Sequence, residues 1–205
     1  MIEYRTADGE FQTRYEILRS VFICTTRGVN SFEEGMEFCR AVAKKYSDAT
    51  HNCYAINALD GQKFSDDGEP QGTGGQPIMQ VIKNKGLVNV ACVVTRYFGG
   101  IKLGAGGLCG AYTKSAAECL DVAKVVTKKL SCEAELRLDY NEYAVFNALA
   151  KNRGYIVTNT DYHDFVDTTF VFPVGKKEEV EEEVKRLTSG KKQLKILRET
   201  FFAYP

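Results

Sequence analysis

Between Ser31 and Tyr46 the apolar residues Phe32, Met36, Cys39, Ala43 and Tyr46 recur at steps of three and four, the period of a helix with one face on a core. Ser31 and Glu34 stand at capping-box spacing at its start. Before it, "EILRSVFIC" alternates loosely and reads as a strand, and after it "HNCYAINAL" reads as a buried strand. "DGQKFSDDGEPQGTGGQP" is a long polar turn region, and "PIMQVIKNKGL" is a helix opened near Pro77 and closed by Gly86. "VNVACVVTRYF" is a β-branched strand, followed by a glycine-rich stretch and then a helix of small residues, "GLCGAYTKSAAECLDVA".

The texture changes after about Lys129. Strand "CEAELRL", helix "NEYAVFNALAKNRG", strands "YIVTNTDY" and "DTTFVFPV", helix "KKEEVEEEVKRLTSG" and strand "LKILRETFF" make a β-α-β-β-α-β series. Val180, Val184 and Leu187 give the second helix one apolar stripe, so its Glu/Lys run reads as a solvated face. The predicted organisation is therefore a two-domain α/β (α+β) protein, residues 1–129 and 130–205, with the boundary near Lys128 to Ser131 and no internal repeat.

A chain of 205 residues with 44% apolar residues, 12 Phe and 11 Tyr can fill ordinary cores. No stretch approaches the roughly 20 apolar residues of a membrane helix, and "MIEYRTADGEF" lacks the order of a secretory signal, so a cytoplasmic protein without a membrane partner is expected. Seven scattered cysteines without a C-x-x-C argue against a disulfide framework and a zinc knuckle. The 27 basic and 27 acidic residues balance, so net charge names no partner. Their distribution is more informative. From Pro70 to Ala117 there is no Asp or Glu, while Lys83, Lys85, Arg96, Lys102 and Lys114 are present.

Inside that window lies "RYFGGIKLGAGGLCGAY", Arg96 to Tyr112, with six glycines, two cations and no acid. Bare backbone entering a helix lets successive amides face one spot, which suits an anion. Glycines also let a tight turn pass close to another backbone, and that packing explanation stands beside the first. Arg96 and Lys102 favour a phosphate. Between Tyr97 and Tyr112 no Ser or Thr occurs, and neither a P-loop nor a dinucleotide fingerprint is formed, which weakens the kinase and dinucleotide readings. A nucleic-acid backbone asks only for positive charge, amide donors and aromatic faces. Candidate phosphate or nucleic-acid contacts are Arg96, Tyr97, Gly99, Gly100, Lys102, Gly104, Gly106, Gly107, Tyr112 and Lys114, with core packing the alternative for Tyr97, Phe98 and Tyr112.

Other groupings are weaker. His51 and Cys53 share one face of a strand and with a third ligand would bind metal; a hydrogen-bonded structural histidine is the plainer account. Asp66, Asp67 and Glu69 form a candidate acidic site, yet "SDDGEP" is also what a tight turn uses. Cys109 near a helix start lacks a neighbouring histidine and reads as an inert thiol. No metal or cofactor is expected.

"DDGEPQGTGGQPIMQVI", "VVTRYFGGIKLGAGGL" and "GAYTKSA", in this order and spacing, resemble the YigZ/IMPACT family, and the likeness covers the whole chain. The resemblance implies an N-terminal domain like the second domain of a small-subunit ribosomal protein and domain IV of elongation factor G. It implies a ferredoxin-like C-terminal domain similar to domain V of that factor. Eukaryotic relatives regulate translation under amino-acid starvation through a kinase pathway and carry a further protein-interaction domain; this chain is expected to lack it, so that role is not transferred. Some members are described as proline peptidases, but no Ser-His pair and no two-metal Asp/Glu/His set is present here. The family's motif positions include His51, Asp67, Glu69, Thr73, Arg96, Lys102 and Gly104. Gly74 and Gly110 depart from it, standing where Ala and Arg are common. The reading that follows is a protein without catalysis that binds nucleic acid, RNA or the ribosome, in a translation-associated or regulatory role. The alternatives are an enzyme acting on a phosphorylated small molecule and a protein-interaction module.

Overall fold

A computed structural model describes residues 2–204. The chain divides into two compact units, residues 4–126 and residues 127–204 with 2–3. In the first, β1 (Glu3–Ala7) lies against the 87–88 segment, where Val88 N donates to Arg5 O. An antiparallel sheet follows in the order β2 (Glu10–Ile17), β3 (Ser20–Gly28), β6 (Val90–Tyr97), β4 (His51–Asn57), β5 (Gln62–Ser65).

The sheet is covered on both faces. α1 (Phe32–Lys45) packs Phe38, Cys39 and Val42 on Ala91 and Val93 of one face. α2 (Gly75–Asn84) and α3 (Gly104–Val122) pack Ile78, Ile82, Leu108, Tyr112 and Cys119 on Val90, Cys92 and Val94 of the other. Burial on both sides explains why β6 reads as a continuous apolar run rather than an alternating one. Ser31 caps α1 as expected, its Oγ accepting from Glu34 N at 3.1 Å, while the Glu34 carboxylate turns back to Asn30 N at 2.7 Å.

Two strands differ from the sequence reading. The run read as one strand over 16–24 is a hairpin turning at Leu18 (φ 45°) and Arg19 (φ 63°), without the Gly or Asn that usually marks such a turn. β5 lies inside the stretch read as a polar turn, because its residues are largely exposed at the sheet edge.

The second unit runs β7 (Val125–Leu138), α4 (Tyr140–Arg153), β8 (Ile156–Tyr162), β9 (Val166–Pro173), α5 (Lys177–Leu187), β10 (Lys195–Ala203), with the antiparallel order β10-β7-β9-β8. Leu136, Leu138, Phe146, Phe170, Phe172, Val180 and Val184 form its core. Between these strands, Lys195 pairs with Glu135 at 2.7 Å, Arg198 with Glu133 at 2.5 Å and Arg137 with Asp167 at 2.7 Å. Both units are mixed α/β with antiparallel sheets. No helix of the described residues is long and apolar enough to cross a membrane.

Candidate nucleic-acid interface

The turn that carries "SDDGEPQGTGG" is organised by one carboxylate. Asp66 accepts from the amides of Gly72 (2.8 Å), Gly74 (3.0 Å) and Gly75 (2.9 Å), supplying from outside the α2 N-terminus the acceptor that Gly74 as cap lacks. Partial burial raises its pKa, and the three amide bonds outweigh that, so the carboxyl titrates below its ordinary range. Asp66 is thus a structural cap, not a free acid. Asp67, at φ 44°, accepts from Asn52 N at 2.6 Å, and its carbonyl takes a bond from His51 Nδ1 at 2.7 Å. Thr73 is buried and closes the turn through its hydroxyl to Pro70 O at 2.6 Å.

Glu69 hangs inward from this turn. Its Oε1 receives Arg96 Nη1 at 2.6 Å and Tyr112 Oη at 2.9 Å; its Oε2 stands 3.8 Å from His51 Nε2. Arg96 also reaches Ser20 Oγ and is sandwiched by Phe22 and Phe98, with ring centroids 5.6 and 5.4 Å from Cζ. Its Nε is buried without a hydrogen-bond partner among the described residues. Burial first, then the neighbouring Cys53 and Glu69, push the Tyr112 hydroxyl far above its ordinary pKa. Burial likewise pushes the Cys53 thiol up to about 12, with its Sγ donating to Asp66 O.

This geometry changes two assignments. Arg96 was expected as a solvent-facing phosphate contact, but it is 5% exposed and already paired, because a guanidinium brought into the core between β3 and β4 requires a carboxylate. Of the two readings of Tyr112, a base-stacking ring or core packing, the structure shows the second, with the side chain fully buried.

Above this cluster opens a groove of about 400 Å³, lined by Thr50, His51, Glu69, Pro70, Arg96, Phe98, Lys102, Leu103, Gly104, Ala105 and Leu108. α3 starts at Gly104, three residues before the sequence suggests, with Leu103 at the cap, no side-chain cap and no acid in its first turn. Gly104 has φ +71°, a backbone that favours glycine. Gly106 has ordinary helical φ, and a β-carbon on it or on Gly110 would meet open space. The first turn of α3 therefore presents bare, uncapped amides beside the exposed Lys102 and the 45%-exposed Phe98.

The remaining residues have other roles. Gly99 is demanded by packing: a β-carbon there would lie 2.1 Å from the Arg19 backbone. Gly100 turns the loop and Gly107 sits against Leu103. Tyr97 donates to Asp48 at 2.9 Å. Lys114 lies far along α3, over the Tyr15 ring at 4.5 Å and 3.8 Å from Glu118, away from the groove. The sequence reading missed Arg19, an exposed cation whose backbone packs on Gly99; its only signal is a turn without turn residues. At Gly74 a methyl would meet Cys53 Sγ at 2.5 Å, so the thiol fills the space beside the glycine. Among the described residues no group of three or more His, Cys, Asp or Glu is placed to hold a metal ion.

A layered N-terminal unit that carries this turn and glycine loop, joined to a second α/β unit, defines a class of two-domain proteins. The Impact N-terminal domain model matches residues 18–120, and a domain of unknown function, DUF1949, matches residues 136–191. The chain is 37% identical to IMPACT family member YvyE of Bacillus subtilis (strain 168), over 87% of this chain and 84% of that one. It is 32% identical to IMPACT family member YigZ of Escherichia coli (strain K12), over 90% and 93%. A solved structure titled "Crystal structure of an hypothetical protein" superposes with a TM-score of 0.67 at 29% identity, covering 97% of this chain and 98% of that one. The chain belongs to the IMPACT family.

Proposed function

We propose that the protein binds RNA through the groove and the bare first turn of α3, without catalysis, in a translation-associated role. The observation that carries this is the uncapped α3 N-terminus with Lys102 and Phe98 beside it, in a groove whose one acid, Glu69, is neutralised by Arg96. Phosphate would sit on the amides and Lys102, and a base would stack on Phe98. We further take the N-terminal unit as like the second domain of a small-subunit ribosomal protein and domain IV of elongation factor G, and the second unit as ferredoxin-like, similar to domain V of that factor. Such kinship would suit a partner on the ribosome and a cytoplasmic location.

A groove of about 400 Å³ also falls within the size range of small-molecule sites, which favours an enzyme on a phosphorylated metabolite as the second reading. Binding of single-stranded RNA, titrated against salt, separates the two. Lys102→Ala should lower the slope of log K against log salt by about 0.7, and Gly110→Arg, placed in open space, should raise it by a similar amount. Absent RNA binding, or binding indifferent to both substitutions, overturns this function.

A further inference from the structure

The fold fixes the tautomer of neutral His51. Nδ1 lies 2.7 Å from the carbonyl oxygen of Asp67, and a carbonyl only accepts, so Nδ1 carries the proton and Nε2 keeps its lone pair. That lone pair faces Glu69 Oε2 at 3.8 Å. Glu69 Oε1 is satisfied by Arg96 and Tyr112, whereas no donor among the described residues bonds Oε2. Two acceptors therefore converge on one spot of the groove wall, one of them on a side chain only 3% exposed. An acceptor held so deep favours a donor supplied from the groove. A hydroxyl has one proton to give, and His51, 20% exposed against 3% for Glu69, is the acceptor it reaches first from the groove.

The same groove holds the opposite chemistry. Leu103, Gly104 and Ala105 open α3 there, and Lys102 stands beside them, a combination suited to a phosphate. Because Arg96 matches the charge of Glu69, the acceptor pair does not turn a neighbouring phosphate away. A hydroxyl donor next to a phosphate is what every ribonucleotide step presents, and deoxyribose lacks it.

Resting on the RNA-binding reading above, we propose that His51 Nε2 accepts from the ribose 2′-hydroxyl, so that the groove selects RNA over DNA. The phosphate lies on the α3 turn and Lys102, the sugar edge turns to His51 Nε2, and the base meets Phe98. DNA of the same sequence keeps every contact except the hydroxyl.

The test uses the full chain and labelled single strands of about 12 nucleotides in one sequence, as RNA, DNA and 2′-O-methyl RNA, at one fixed salt concentration. RNA should bind about tenfold or more tightly than DNA and than 2′-O-methyl RNA, whose 2′-oxygen cannot donate. His51→Phe should weaken RNA about three- to tenfold and DNA much less, closing most of the gap. Equal affinity for RNA and DNA, 2′-O-methyl RNA binding like RNA, or a preference that survives His51→Phe refutes the hydroxyl contact while nucleic-acid binding stands. Failure to bind any of the three strands removes both the contact and the RNA-binding reading. The wild-type comparison across the three strands stands even if the variant does not fold.

Discussion

Removing Glu69 should unfold the centre of the N-terminal unit, because it strands a buried cation. The Glu69 and Arg96 side chains are 3% and 6% exposed and meet at 2.6 Å, so Glu69→Ala leaves the guanidinium in the core without its carboxylate. Breaking a buried pair from one side costs about 3–5 kcal/mol. Tyr112 Oη loses an acceptor in the same variant, which places the expectation in the upper half of that range. Arg96→Ala should cost a similar amount by stranding the carboxylate. The double variant should cost less than the sum, with a coupling of about 2–3 kcal/mol. The assay is native-state hydrogen exchange of peptides from β6, which reads this unit on its own. A loss of 3–5 kcal/mol accelerates exchange between about 10²- and 10⁴-fold. Single variants each costing under about 1 kcal/mol, with no coupling, would show that Arg96 behaves as an exposed cation and would refute the internal-pair account.

Asp66→Asn should cost about 2 kcal/mol, through weakened capping of α2. Since the folded carboxyl titrates below its ordinary value, this contribution is complete above about pH 4 and is lost as pH falls through the lowered folded value; urea stability measured against pH should show wild type and variant converging there, and a constant gap down to pH 2 would refute it. Gly74→Ala alone should cost about 1–3 kcal/mol by driving a methyl into Cys53 Sγ, and adding Cys53→Ala should return most of it; additive losses in thermal unfolding would sink that account.

Some of this architecture is legible in the residues and some is not. The β6 run and the α1 stripe declare themselves because local periodicity reports burial directly. The hairpin at Leu18–Arg19 does not, since two left-handed residues are held there by the approach of Gly99 and not by local preference. Charge counting misplaces Arg96 for a similar reason. The acid-free window opens one residue after Glu69, so the window's most prominent cation is neutralised by the acid just outside it, 27 positions away. The free Glu69 Oε2 beside His51 carries no sequence signal, because it depends on how two turns meet in space.

The approach of Gly99 to Arg19 also fixes lengths. With the peptide at 19 occupying the place of any side chain at 99, the two-residue hairpin and the loop entering α3 act as mutual templates. Lengthening the hairpin would release the constraint on position 99, but it would also withdraw the surface that sets where the loop turns toward Lys102. Insertions on either side are therefore tolerable only as a matched pair, and an engineer who wishes to graft a new loop ahead of α3 must graft the hairpin with it.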